Sequence, residues 1–161
     1  FEKGTLFLPQ LLMSAEAAKA AFEVLRAKMR EKGETAKKGK IILATVKGDI
    51  HDIGKNIVKV LLENYSFDVI DLGRDVPPET IVETARAQNV KLVGLSALMT
   101  TTVVNMEETI RQLHAALPDC KVMVGGAVLT PEYAKKIHAD FYSKDAMGSV
   151  RFAQKVFEQQ P

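Results

Sequence analysis

Asp49 and His51 stand two residues apart in Gly48-Asp49-Ile50-His51-Asp52-Ile53-Gly54, directly after the apolar run Ile41 to Val46. At that spacing a carboxylate can accept a hydrogen bond from one imidazole nitrogen. This fixes the tautomer and leaves the second nitrogen free to ligate a metal or to move a proton. Gly48 and Gly54 let the backbone come close to something large. Taken alone, Asp-x-His also describes an ordinary structural pair, so its chemistry depends on what meets it. Two further runs of small or hydroxylated residues lie downstream, Ser96-Ala97-Leu98-Met99-Thr100-Thr101-Thr102 and Gly125-Gly126-Ala127-Val128-Leu129-Thr130. Singly, the threonines would serve as a helix N-cap cluster and the glycines as a strand-to-helix turn.

The elements that must position these residues alternate along the chain. Apolar strands are expected at Lys40 to Val46, Phe67 to Leu72, Leu92 to Ser96, Val122 to Gly125 and Asp140 to Tyr142. Each precedes a helix, at Ile53 to Asn64, Pro78 to Gln88, Val103 to Leu117, Pro131 to His138 and Ala146 to Gln159. Continuous apolar strands separated by helices imply a parallel sheet covered on both faces. The expected class is therefore α/β, a five-stranded flavodoxin-like (Rossmann-like) sheet in the order 2-1-3-4-5. In that order the three runs come after strands 1, 3 and 4, which lie side by side at the switch point where such sheets bind ligands. Small residues converging there would leave a deep slot walled by hydrogen-bonding groups.

Asp49-x-His51-x-x-Gly54, Ser96-Ala97-Leu98 and Gly125-Gly126 together resemble the three-part signature of corrinoid (cobalamin) binding domains, the family of methyltransferase corrinoid proteins and of the cobalamin domain of methionine synthases. The resemblance covers nearly the whole chain. It implies a cobalamin or related cobamide bound base-off and histidine-on, with His51 as the lower axial ligand to cobalt and Asp49 orienting it. It implies a cofactor site made of Gly48 to Gly54 (with Ile50, Asp52 and Ile53), Ser96, Leu98, Met99, Thr100, Thr102, Gly125, Gly126 and Ala127. Thr102 stands where methionine synthases carry a serine that completes a relay from histidine through the acid; it keeps the hydroxyl and adds bulk.

A helix is expected before the α/β domain, because Leu11, Leu12, Ala15, Ala18, Phe22, Leu25 and Met29 recur at three- and four-residue steps. A glycine- and lysine-rich stretch, Glu31 to Lys40, separates this helix from the first strand. The expected domains are thus a helical cap segment over 1–35 and a corrinoid-binding α/β domain over 36–161. By the same resemblance, Phe7 with Leu11 or Leu12 would shield the upper face of cobalt. The sequence from Gly125 to Tyr142 looks like the stand-alone corrinoid proteins, and an end soon after the last helix favours a methyl carrier over a methionine synthase module. Such a carrier, methylated in turnover, would work between a donor-side and an acceptor-side methyltransferase, with a reductive activator as a third partner.

Composition agrees. The 161 residues are 47% hydrophobic with a formal net charge of +2, enough for one good core and without a nucleic-acid or membrane-binding charge pattern. The single Cys120 excludes an internal disulfide and fits a cytoplasmic protein. A phosphorylated receiver is disfavoured because Ser96, not an aspartate, ends the third strand, and a flavodoxin because Val46 to Asp49 is not a hydroxyl-rich phosphate loop. A zinc hydrolase needs at least three ligands, whereas His114 and His138 fall in expected helices. Acid–base catalysis by Asp49 and His51 without a corrinoid is the remaining enzyme alternative.

Overall fold

The computed structural model describes residues 37–158, together with Val24. The expected cap helix with Phe7, Leu11 and Leu12 lies outside the described residues. The chain divides into the units Phe1–Ala36 and Lys37–Pro161, and the α/β fold is that of the second.

Five strands, β1 (Lys40–Thr45), β2 (Asp68–Asp71), β3 (Leu92–Ser96), β4 (Lys121–Gly125) and β5 (Phe141–Tyr142), alternate with five helices, α1 (Ile53–Asn64), α2 (Pro78–Ala87), α3 (Val103–Ala116), α4 (Pro131–Lys136) and α5 (Ala146–Glu158). All neighbouring strands are parallel, in the order β2-β1-β3-β4-β5, the flavodoxin-like arrangement expected. The expected element ends shift by a residue or two. One difference has a clear cause: His138 is not helical, because α4 stops at Lys136 and His138 takes a left-handed backbone with φ 61°.

Successive strand residues point to opposite faces, and the core divides accordingly. Ile42, Ala44, Val93, Leu95, Val122 and Val124 face α2 and α3, where Ile81, Ala85, Met106, Ile110 and Leu113 complete a continuous apolar layer. Ile41, Leu43, Leu92 and Met123 face α1 and α5, joined by Leu62, Val150 and Ala153. The second layer is much the thinner among the described residues. It is filled at the end where the strands begin, where Phe67 meets Phe157 at 5.6 Å and Phe141 stacks on Phe152 at 4.4 Å between ring centroids. Towards the strand ends it opens into a cavity. No helix among the described residues is long and apolar enough to cross a membrane.

Candidate functional site

β1 ends at Thr45, and the chain turns through Lys47 and Gly48, whose φ of +83° is strained for any residue with a side chain. Three hydrogen bonds, two with Asp75 and one with Asn105, fix this turn. Gly48 N–H donates to Asp75 Oδ1 at 2.7 Å, Asp75 N–H donates to the Asp49 carbonyl at 2.9 Å, and Asn105 Nδ2 donates to the Lys47 carbonyl at 2.8 Å. The loop between β2 and α2 therefore clamps the His51 loop. Asp75 itself has φ 54°, a left-handed conformation that asparagine and aspartate tolerate better than most residues.

Asp49 is fully buried, and each of its oxygens is saturated. Oδ1 accepts from the His51 amide at 3.0 Å and lies 2.8 Å from His51 Nδ1. Oδ2 accepts from the Leu98 amide at 2.7 Å, the Met99 amide at 3.2 Å and the Thr102 hydroxyl at 2.9 Å. Burial opposes ionisation of this carboxyl, but the His51 and Leu98 amides, with the His51 ring and the Thr102 hydroxyl, outweigh it and hold the group well below the usual carboxylate range. An ionised carboxylate only accepts hydrogen bonds, so His51 Nδ1 must carry the proton facing it. In the neutral ring His51 Nε2 then keeps a lone pair, on a side chain that is 46% exposed.

Thr102 occupies the position before α3, but its hydroxyl caps no helix amide. It turns back to Asp49 and to the Met99 carbonyl at 2.8 Å. His51, Asp49 and Thr102 thus form one connected chain of groups.

Beside His51 lies a cavity of about 710 Å³, bounded by α1, the start of α5 and the ends of β3 and β4. Its wall includes Ile50, Asp52, Ile53 and Gly54, then Ser96 and Leu98, then Gly125, Gly126 and Ala127. The candidate residues Gly48, Met99, Thr100 and Thr102 are not part of this wall; the Thr102 side chain is committed to Asp49. Leu43, Gly94 and Met123 form one register row across the sheet, with Thr45, Ser96 and Gly125 the next row on the same face. A Cβ on Gly94 would come within 2.5 Å of Leu43 Cδ2 and 2.9 Å of Met123 Cε, so a side chain there would have to push the ends of Leu43 and Met123 aside. A Cβ on Gly126, whose φ is +140°, would strike the Ala97 carbonyl. A Cβ on Gly54 would meet nothing within 4 Å and would stand in the open mouth.

Several members of the site carry no motif signal. Lys55 is nearly fully buried in the α1 wall, its ammonium 2.6 Å from Asp71 Oδ1 and 2.8 Å from Asn56 Oδ1. Asp75, Thr45 and Ser149 likewise obey no spacing rule; a polar residue at a strand's end or inside an apolar run was the available hint. His114 is distant from this group and lies 3.1 Å from Asp140. Among the described residues, no three His, Cys, Asp or Glu side chains converge as a metal-binding group. The arrangement suits one imidazole ligand offered to a metal whose other ligands come from a bound organic group.

Comparison with known proteins gives the same direction. The B12 binding domain family matches residues 39–151. Dimethylamine corrinoid protein 1 of Methanosarcina mazei is 46% identical over 158 residues, which is 97% of this chain and 73% of that protein. The crystal structure of a cobalamin-binding protein from Desulfitobacterium hafniense DCB-2 superposes with a TM-score of 0.80 at 36% identity, over 97% of this chain and 74% of that one. A chain of the methanol:cobalamin methyltransferase complex MtaBC from Methanosarcina barkeri gives 0.75 at 28% identity, over 99% of this chain and 61% of that one.

Proposed function

The chain belongs to the B12-binding domain family, and from that premise we propose that it is a corrinoid-binding methyl carrier with His51 as the lower cobalt ligand. When bound, the corrinoid supplies a cobalt centre able to accept a methyl group and to give it up. The residues fit such a group. Asp49 keeps the proton on His51 Nδ1 and so keeps Nε2 available as a ligand. Gly54 leaves the mouth of the cavity clear for a bulky ring, and the glycines at 94, 125 and 126 keep open a channel that the displaced nucleotide tail would fill.

The observation that carries this reading is a half-exposed imidazole, locked by a saturated buried carboxylate, standing beside a cavity with a glycine-lined floor. Thr102, holding the other carboxylate oxygen, completes the support that fixes the Asp49 orientation. The partners are suggested by the relatives: one is named as a corrinoid protein and another is part of a methyltransferase complex. This chain would accordingly serve a donor-side and an acceptor-side methyltransferase, and a reductive activator that restores the cobalt after accidental oxidation.

Absorption spectroscopy tests the reading. Protein mixed with hydroxocobalamin and gel-filtered should retain a coloured, stoichiometric corrinoid whose spectrum is that of the imidazole-ligated form. His51→Ala should retain less cofactor and show a spectrum without that ligand. A colourless protein after gel filtration would refute the proposal and leave acid–base chemistry by Asp49 and His51 as the alternative.

A further inference from the structure

Thr45 belongs to none of the three motifs, yet it is a fully buried polar residue at the end of β1, beside the site. It is in register with Ser96, which is in register with Gly125, so its row runs beneath the cavity. Thr45 Oγ1 lies 2.9 Å from Ser96 Oγ and 3.5 Å from the His51 carbonyl oxygen. Each hydroxyl has one proton to give. Were Ser96 to donate to Thr45, the buried Thr45 proton would have only the carbonyl at the outer limit of a hydrogen bond. With Thr45 donating to Ser96, the buried proton has the short bond and the Ser96 proton is released to the cavity, whose wall Ser96 helps to form. A poorly satisfied donor costs most where water cannot reach it, so the second arrangement prevails.

We infer that Thr45 is a positioning residue that fixes the Ser96 hydroxyl as a hydrogen-bond donor towards an acceptor atom of the cavity's occupant. Thr45 itself is 0% exposed and touches no ligand; it acts through Ser96. The inference rests on the reading that the cavity receives the nucleotide tail of a corrinoid, and it adds the residue that sets the polarity of one wall.

The test uses the full chain and two probes, cobalamin and cobinamide, the second lacking the nucleotide tail. Affinities are titrated by absorbance for the unaltered protein, Thr45→Val, Thr45→Ser and Ser96→Ala. Thr45→Val keeps the shape and removes the hydroxyl; it should weaken cobalamin binding about fivefold, the size of one net hydrogen bond, and leave cobinamide binding unchanged. Thr45→Ser should restore cobalamin binding. Ser96→Ala should show the same selective loss, and the double variant Thr45→Val with Ser96→Ala should lose no more than Ser96→Ala alone, as two residues acting through one contact require. Should Thr45→Val not fold, Thr45→Ala replaces it, with the same selectivity demanded. Equal weakening of both probes, or unchanged cobalamin affinity, would overturn the Thr45 assignment alone. An unaltered protein that binds cobalamin no better than cobinamide would overturn the tail-in-cavity reading beneath it.

Discussion

Asp49 shows how a single side chain can set the chemistry of a site. A buried carboxylate survives only if its charge is compensated, and here the compensation comes from amides and a hydroxyl rather than from a cation. The charge therefore remains available to hold the His51 ring. Asp49→Asn would replace one accepting oxygen by an NH2 that faces other donors, and should weaken corrinoid binding by about 10- to 100-fold, as loss of an outer-shell partner typically does. A titration giving the same affinity for both proteins would contradict that role. Gly126 is a second residue with no substitute, since its φ of +140° and its approach to the Ala97 carbonyl both exclude a side chain. Gly126→Ala should lower the stability of the apo-protein by about 1–3 kcal/mol, read by urea unfolding, and should narrow the cavity as well. Asp-x-His-x-x-Gly was legible in the sequence because its members are close along the chain. The Leu98 and Met99 amides on Asp49 were not, because partners about fifty residues apart meet only once the sheet has formed.

Strands and helices were largely legible, since an apolar run between Gly- and Asp-containing turns reads as a buried parallel strand, and Ile53–Asn64 and Leu92–Ser96 fall where the pattern puts them. What the pattern omits is how one element grips another. The loop that joins β2 to α2 holds the His51 loop through Asp75, and no periodicity marks a loop residue for such work. Asp140, just before β5, links α3 and β4 in the same manner. It accepts from the Val122 amide at 2.8 Å and lies 3.1 Å from both Lys121 Nζ and His114 Nε2. Burial opposes its ionisation, but the Val122 amide, Lys121 and His114 hold the carboxyl below its ordinary value of 3.8. A depressed folded-state value means that the ionised group adds stability above that ordinary value and loses it as pH falls through the lower, folded one. Asp140→Asn should therefore be less stable than the unaltered protein at neutral pH, with the gap closing in strongly acidic solution. Urea unfolding across that range checks this, and a gap independent of pH would contradict it. Cys120, beside this cluster, has its thiol pushed up to about 11, chiefly by burial and then by Asp140, which fits a packing role.

Among the described residues, the α/β unit is asymmetric by construction. One face of the sheet carries a continuous core, while the other gives up part of its apolar layer to the cavity. A fold with that much unfilled space beside a thin layer should gain stability from whatever fills it. A ligand that binds only the folded state stabilises by about 2.7 kcal/mol at a hundredfold excess over its dissociation constant. Added cobalamin should accordingly slow hydrogen exchange in Gly94 to Leu98 and Gly125 to Ala127 as well as in the His51 loop, whereas protection confined to that loop would mean the cavity stays empty. The central claim, that His51 takes the lower position on cobalt, is tested most directly by paramagnetic resonance of the cobalt(II) form in protein whose histidines carry the heavy nitrogen isotope. A histidine ligand predicts that the nitrogen hyperfine triplet becomes a doublet on labelling, and that the effect vanishes in His51→Ala. A triplet that persists in the labelled protein would show the cofactor's own base still on cobalt and would contradict the account.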